Sequence, residues 1–408
     1  MKFGFNRCND YIATCYIFIA VILGFILENL NLFFIEIALV AITLLLYVYF
    51  QKKLIVNKVM IVWMFSMLIA TFSIFYSVIM EESGKICILF FSFIWMSTFF
   101  SYSDSDNYKM INFLCGCCGM HVVFSLWQYF NANTFYKFYS IFANGQNYAD
   151  NVSFYRNGRI CGITSQTGAN GFYISIFIII VFDKLLKCNK IKTKFLLFTI
   201  IIISYLMLIC TGKRAYLLGL IFVLLAIWYI YNKGYNMRKK FVKLCIAILA
   251  VSVFAYVMIR TNAVNSVILK FVYNASRGDI TNGRIDLWRQ TIDIFKEHFI
   301  FGTGINSIPT IIGEGTHNVY IQLLAEVGIF GALFFYGALF YPLIKIVNII
   351  WRRRDLNMKV MVSFSIQLFF LIYCLSGNPL YDHKMMWIYA VAIGFAEREI
   401  INYEAKKV

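Results

Sequence analysis

Apolar runs long enough to cross a bilayer recur along the whole chain and limit the folds open to it. A membrane-spanning helix needs roughly 17–25 mostly apolar residues, because the hydrocarbon core is about 30 Å thick and a helix rises about 1.5 Å per residue. With 61% hydrophobic and 14% charged residues among 408, the chain is too apolar for a soluble domain of that length. Lipid offers backbone polar groups no partner, so the spans are expected to be helices.

These runs predict an all-α polytopic membrane protein with about twelve transmembrane helices, forming a single membrane domain over residues 1–408. The candidate spans are 11–29, 32–50, 59–80, 86–101, 110–130, 168–182, 195–210, 215–231, 242–259, 320–344, 360–376 and 385–396. Two longer polar segments, 131–167 and 260–319, predict loops on the outer, periplasmic side. The first apolar run has no small-residue cleavage site and is followed by further spans, so no cleavable signal peptide is expected.

The distribution of lysine and arginine predicts the orientation of the spans. With the N-terminus placed inside, most of the 37 basic residues fall in inner segments such as KLLKCNKIKTK and WRRRDLNMK. Both termini are then cytoplasmic. The net charge of +17 follows from this topology and from attraction to anionic lipid headgroups, so it requires no nucleic acid partner. Most of the eleven cysteines lie in candidate spans without zinc-ligand spacing, so they are interpreted as buried small side chains.

The most polar stretch is residues 282–331, and residues 284–299 within it fit an amphipathic helix that lies in the long outer loop. The helical period places these residues on its polar side: Asp286, Arg289, Gln290, Asp293 and Glu297. It places these on its apolar side: Trp288, Ile292, Phe295 and Phe299. Arg284 projects near the centre of the apolar side, where an arginine needs an anionic partner. That partner can be a protein carboxylate, a lipid phosphate or a substrate phosphate.

Other outward segments carry polar residues at the ends of spans. Arg214 follows Lys213 in the short turn TGKRAYLLG, and positive charge on the outer side runs against the orientation signal. His317 stands at the start of a span, between Thr316 and Asn318, which are suitable helix-capping residues. Each of these residues also has a simpler interpretation, because cations at helix ends extend toward headgroups and a lone histidine often serves as a hydrogen-bonding residue. Glu326 lies deeper in the same span, where a carboxylate requires a partner.

Several motifs follow one another between residues 157 and 335. They are GRICGITSQTGANG, the turn ending in Arg214, G-R-x-x-L-W at 283–288, F-G-T-G at 301–304 and H-N-x-Y-x-Q-x-L-x-E-x-G-x-x-G at 317–331. Together they resemble the superfamily of O-antigen polymerases and O-antigen ligases. The resemblance implies a bacterial inner-membrane glycosyltransferase that uses glycans carried on undecaprenyl diphosphate, at the outer leaflet and without a metal ion.

The resemblance also implies roles for individual residues. Arg214 and Arg284 would bind the donor diphosphate, His317 would bind or activate the acceptor hydroxyl, and Glu326 would be a further catalytic residue. The following would bind substrate: Arg159, Lys213, Asn318, Tyr320 and Arg289. Fixed arginines can stabilise the negative charge of a leaving diphosphate, and a neutral histidine can accept a hydroxyl proton. No DxD-like acidic pair stands in the outer segments, so neither a metal nor another cofactor is expected.

The favoured function is a polymerase that joins undecaprenyl-diphosphate-linked oligosaccharide repeat units into O-antigen or capsular polysaccharide. The stretch at 158–171 favours it over a ligase that transfers the glycan to lipid A-core. The non-enzyme alternative is a transporter of lipid-linked oligosaccharides, which typically places ionisable residues near the bilayer midplane in repeated halves. Here the charges collect at the outer rim and no repeat is evident. The expected partners are the lipid-linked oligosaccharide, the lipid bilayer and a chain-length regulator protein.

Overall fold

The computed structural model describes residues 12–23, 57–102, 107–143, 145–233, 283–352 and 357–405, with single positions at 25, 38, 41, 42 and 45. Within these residues the regular elements are helices and no strand occurs. The predicted span 242–259 and the loop residues 260–282 lie outside the described residues, as does most of the predicted span 32–50. The all-α prediction is confirmed for the described part of the chain.

The helices follow the predicted apolar runs closely. They are α1 (Ile12–Leu23), α2 (Lys58–Ser73), α3 (Met80–Tyr102), α4 (Asn107–Phe130), α5 (Ala132–Tyr139), α6 (Gly145–Arg156), α7 (Thr167–Lys187), α8 (Ile191–Cys210), α9 (Arg214–Tyr231), α10 (Arg284–Glu297), α11 (Ile308–Ile312), α12 (Val319–Arg352), α13 (Met358–Tyr373) and α14 (His383–Ala405). Among the described residues, seven helices are long and apolar enough to cross a membrane: α2, α3, α4, α7, α8, α9 and α12. The total of about twelve spans and the outer position of the loops stay predictions.

The last helix is longer than its apolar run predicts. The run suggests 385–396, whereas α14 continues to Ala405 through a charged stretch. Glu399 of this stretch is buried and lies 3.4 Å from Lys359 of α13, and Glu397 lies 4.0 Å from Lys345 of α12. Because buried charges are stable only when they are paired, these contacts let the helix continue where hydropathy alone would end it.

The chain forms two compact units. The first comprises residues 1–117 and 283–408, and the second comprises residues 118–282. In the first unit α3 packs along α14, α12 packs against α2 and α13, and α10 packs on α12. In the second unit α7 packs against both α8 and α9.

Helix α12 is interrupted at Gly328. Its φ of 65° and ψ of −175° lie outside the helical region, in a part of conformational space that is essentially restricted to glycine. The interruption changes the hydrogen bonding of the next residue, since the N–H of Ile329 donates to the carbonyl of Phe299 at 2.9 Å. The segment that follows α10 therefore contacts the helix at its break.

The F-G-T-G segment at 301–304 completes this contact from the other side. The N–H of Thr303 donates to the carbonyl of Ala325 at 3.0 Å, and the N–H of Gly304 donates to the carbonyl of Glu326 at 2.8 Å. Residues 299–304 and 325–329 thus form one hydrogen-bonded contact, which we call the backbone join. One side of the backbone join contains the F-G-T-G motif at 301–304, and the other side lies in the motif at 317–331.

Replacing Gly328 by alanine is expected to destabilise the protein by roughly 3 kcal/mol or more. An added Cβ would clash with the carbonyl of Ile300, and the backbone conformation disfavours any side chain. Gly337 on the same helix is the matched control, because a Cβ there meets no atom within 4 Å. Gly337→Ala should stabilise the helix slightly, by about 0.5–1 kcal/mol. The measurement is the unfolding temperature of the purified protein, and equal temperatures for both variants would contradict the importance of the backbone join.

Candidate active site

His317 occupies a strained turn immediately before α12. Its φ of 52° is left-handed, a conformation that a residue with a side chain adopts at a cost. The neighbouring residues Thr316 and Asn318 are buried, whereas the His317 side chain is exposed. The two buried neighbours hold the turn, so the imidazole is presented outward. Strain of this kind often accompanies functional sites.

The neighbours of His317 cap α12, as predicted. The Asn318 Oδ1 atom accepts from the backbone N–H groups of Tyr320 at 3.0 Å and Ile321 at 3.2 Å. The Thr316 hydroxyl accepts from the N–H of Asn318 at 3.2 Å and donates to the carbonyl of Asn318 at 2.8 Å. These bonds satisfy N–H groups that a helix start leaves without intrahelical partners. The side-chain oxygen of Asn318 is therefore occupied by the backbone.

Buried polar side chains continue from this turn into the protein. The Gln322 Oε1 atom lies 3.2 Å from the Thr316 hydroxyl, and Gln322 Nε2 donates to Glu326 Oε1 at 2.8 Å. The hydroxyl of Tyr381 donates to Glu326 Oε2 at 2.6 Å. We call Thr316, Gln322, Glu326 and Tyr381 the buried polar chain. It links the turn of His317 to the segment between α13 and α14.

Glu326, predicted as a catalytic residue, is fully buried. Besides its two side-chain donors, the backbone N–H groups of Asn306 and Ile308 hydrogen-bond to the same carboxylate. Burial and the adjacent Glu326 carboxylate raise the pKa of Tyr381 well above its usual range, so its hydroxyl remains a donor. Glu326 therefore ties three segments together in the interior.

Tyr320, predicted to bind substrate, is half-buried near the start of α12. Its hydroxyl donates to the carbonyl of Leu371 at 3.0 Å, and its ring stacks on Phe340. The residue thus connects α12 to α13, and its phenol oxygen points into this helix contact.

Helix α10 confirms the amphipathic helix predicted at 284–299, although its packed face differs. Leu287 and Thr291 are buried and the following are half-buried: Arg284, Trp288 and Phe295. Of the residues predicted on the apolar side, Ile292 and Phe299 are 39% and 51% exposed within the protein. The packed face is centred on Leu287 and Thr291, so residues at its edge remain accessible.

The packed face of α10 is connected to the turn of His317. The Trp288 Nε1 atom donates to the carbonyl of Thr316 at 2.9 Å. Arg284 lies one helical turn before Trp288 on the same face. Arg289, predicted to bind substrate, lies on another face, where its side chain is 75% exposed and 3.6 Å from the carboxylate of Asp286.

In the second unit, Arg159, Lys213 and Arg214 lie around one turn. Lys213 immediately precedes α9, and Arg214 is its first residue. Arg159 packs against the same turn, because a Cβ on Gly212 would lie 3.3 Å from its Cδ and Nε atoms. All three cations are half-buried. We call them the basic cluster.

Two cations of the basic cluster, Lys213 and Arg159, lie near the buried thiol of Cys161. Burial raises the pKa of the Cys161 thiol, whereas the nearby charges of Lys213 and Arg159 act in the opposite direction. Lys213 also approaches the first turn of α7, since its Cε is 3.8 Å from the place of a Cβ on Gly168. Helix N-termini carry partial positive charge. Three cations and the first turns of α7 and α9 therefore favour an anionic ligand such as a phosphate.

No group of three or more His, Cys, Asp or Glu side chains that could hold a metal ion occurs among the described residues. The sequence interpretation missed the hydrogen bonds by which Trp288, Gln322 and Tyr381 support the turn of His317 and the carboxylate of Glu326. Gln322 had a signal, because it lies four residues after Asn318 and four before Glu326 on one face of α12.

The described helices define a multi-pass membrane protein with a strained histidine turn in its first unit and a basic cluster in its second. The chain matches the family described as O-antigen ligase over residues 197–336. This match supports the resemblance of the chain to O-antigen polymerases and O-antigen ligases. The matched region contains Arg214, Arg284, His317 and Glu326. No curated protein matches the chain.

Proposed function

We propose that the protein is a polymerase that joins undecaprenyl-diphosphate-linked oligosaccharide repeat units into O-antigen or capsular polysaccharide. It acts at the outer leaflet of the bacterial cytoplasmic membrane, with both termini in the cytoplasm and a chain-length regulator as a protein partner. The family match supports an enzyme of the polymerase or ligase type. The observation that carries the assignment is the exposed His317, held in a strained turn within the matched region.

The basic cluster is assigned to the diphosphate of the donor lipid. Breaking the bond between the sugar and the diphosphate leaves negative charge on the lipid diphosphate, and fixed cations stabilise that charge as it develops. Arginine suits this role because its guanidinium group makes paired hydrogen bonds to phosphate oxygens. Arg284, half-buried at the start of α10, is assigned to phosphate binding as well.

His317 is assigned to the acceptor sugar. As the acceptor hydroxyl attacks the anomeric carbon of the donor, a glycosidic bond forms and the bond to the diphosphate breaks. Neutral histidine accepts the hydroxyl proton near pH 7 and later releases it to water. Asn318 and Tyr320 keep the start of α12 in place, and Glu326 is assigned a positioning role because its carboxylate is enclosed by donors.

A reconstituted reaction tests the proposal. Purified protein in lipid nanodiscs receives lipid-linked repeat units, without an added energy source and in the presence of a chelator. We expect a ladder of longer glycans on the lipid carrier, and no ladder with Arg214→Ala. A ligase would instead give no ladder but would transfer preformed long glycan to added lipid A-core. A transporter would give neither product and would move the lipid-linked unit across a vesicle membrane.

A further inference from the structure

Two fully buried amide side chains face each other in the second unit. Gln128 lies in the last turn of α4 and Asn151 lies in α6, and both have no exposed surface. Gln128 Nε2 donates to Asn151 Oδ1 at 2.8 Å and to the hydroxyl of Tyr136 at 2.9 Å. The Tyr136 hydroxyl donates to the same Asn151 oxygen at 2.9 Å. We call these three side chains the amide clamp.

The remaining polar atoms of the two amides hydrogen-bond to the backbone of residues 161–164. We call this segment, which precedes α7, the gripped loop. Gln128 Oε1 accepts from the backbone N–H groups of Cys161 at 3.1 Å and Gly162 at 2.8 Å. Asn151 Nδ2 donates to the carbonyls of Gly162 at 3.0 Å and Thr164 at 2.7 Å. Four backbone groups of one short loop are thus held by two side chains.

The hydrogen-bonding capacity of the clamp is fully used. A primary amide offers two donor hydrogens and an oxygen with two lone pairs. In Gln128 and Asn151 both hydrogens and both lone pairs have a partner. Neither amide can rotate by 180° without placing donor against donor and acceptor against acceptor. A buried network that is satisfied in this way specifies one arrangement of the loop.

The gripped loop follows the segment that carries Arg159 to the basic cluster. The N–H of Arg159 donates to the carbonyl of Phe154, and the N–H of Ile160 donates to the carbonyl of Cys210 at the end of α8, both at 2.9 Å. The Arg159 side chain then packs against Gly212. The loop is fixed by the amide clamp on one side and by the end of α8 on the other.

We propose that Gln128 and Asn151 are positioning residues that hold Arg159 ready for a lipid diphosphate. The proposal rests on the assignment of the basic cluster to the donor diphosphate. A long arginine side chain loses conformational freedom when it binds a phosphate. A clamp that fixes its backbone in advance lowers this cost, and so tightens binding without touching the ligand.

The substitution Asn151→Asp tests the clamp with almost no change of shape. It places a carboxylate oxygen where Nδ2 now faces the carbonyls of Gly162 and Thr164, so both hydrogen bonds to the gripped loop are lost. With farnesyl diphosphate as the probe, we expect the Kd to rise about tenfold, as for loss of one charged hydrogen bond. Arg159→Ala should weaken binding by a similar factor. The double variant should bind within about twofold of Arg159→Ala alone, because the clamp acts through that arginine.

Gln367→Glu is the matched control. Gln367 is another fully buried helical amide, and its Nε2 atom donates to the hydroxyl of Ser363 at 3.0 Å. It belongs to the first unit, whereas the gripped loop belongs to the second. Its substitution should leave the Kd for farnesyl diphosphate unchanged. The proposal would be overturned if the increases in Kd of the two single variants multiplied in the double variant. It would also be overturned if Gln367→Glu raised the Kd as much as Asn151→Asp does.

Alkylation of Cys161 reports on the clamp without any ligand. The Cys161 thiol is fully buried in the gripped loop, so N-ethylmaleimide should modify it slowly in the unaltered protein. Asn151→Asp and Gln128→Glu should accelerate modification of that thiol at least tenfold, measured by peptide mapping. Unchanged labelling in both variants would overturn the clamp. If labelling of Cys161 is slow in the unaltered protein and faster in both variants, but the unaltered protein does not bind farnesyl diphosphate, the assigned donor site is refuted. The structural role of the amide clamp is then still supported.

Discussion

His317→Ala is expected to lower kcat for chain growth by about 10²- to 10⁴-fold, the range over which a positioned proton acceptor contributes. The KM for the lipid-linked substrate should change much less, because the diphosphate is assigned to other residues. The imidazole is exposed, so the loss should not come from unfolding. Initial rates of glycan elongation in nanodiscs, together with the unfolding temperature, provide the measurement.

His317→Gly separates the chemistry of His317 from its place in the turn. Glycine adopts a φ of 52° without the penalty that a side chain incurs, so this variant should be at least as stable as the unaltered protein and still inactive. His298→Ala is the matched control, because His298 is also exposed and ends α10. It should retain normal activity. More than a tenth of the activity remaining in His317→Gly would contradict the proton-acceptor role.

Glu326→Ala is expected to reduce the stability of folding by about 3–5 kcal/mol. The substitution leaves a cavity and removes the acceptor for the Tyr381 hydroxyl, the Gln322 amide and two backbone N–H groups. Each buried donor without a partner costs about 1–3 kcal/mol. The yield of folded protein and its unfolding temperature should both fall.

Glu326→Gln distinguishes support from catalysis. It preserves the shape and one acceptor oxygen, so its cost should be about 1–2 kcal/mol. If Glu326 is a positioning residue, the kcat of Glu326→Gln should lie within about tenfold of that of the unaltered enzyme, because general acid–base groups contribute more than that. A folded Glu326→Gln protein that is as inactive as His317→Ala would instead assign proton transfer to this carboxylate.

Local patterns in the sequence predicted much of the fold. Apolar runs located the described spans, with ends that differ from the helix ends by up to eight residues, because a lipid-crossing helix must be apolar over its length. The run at 385–396 failed to give the end of α14, since Glu397 and Glu399 are stabilised by lysines of other helices. Contacts between remote segments are not encoded in local hydropathy.

In the candidate site, too, features set by the local sequence were predictable, whereas contacts between remote segments were not. The caps around His317 and the packed position of Arg284 were predictable, because helix starts and helical periodicity follow local rules. Tyr381 was not, since it meets Glu326 across 55 positions of the chain. The grip of Gln128 on Cys161 was also hidden, because it connects a helix end to a loop 33 positions away.

The break at Gly328 has a consequence for membrane depth. Residues 329–352 form a helix of roughly 36 Å at 1.5 Å per residue, which is enough to cross the hydrocarbon core without the turns before the break. We therefore expect residues 319–327 to lie at the level of the lipid headgroups, where Glu326 is enclosed by protein. The glycine of the E-x-G motif would thus mark the height at which the bilayer begins.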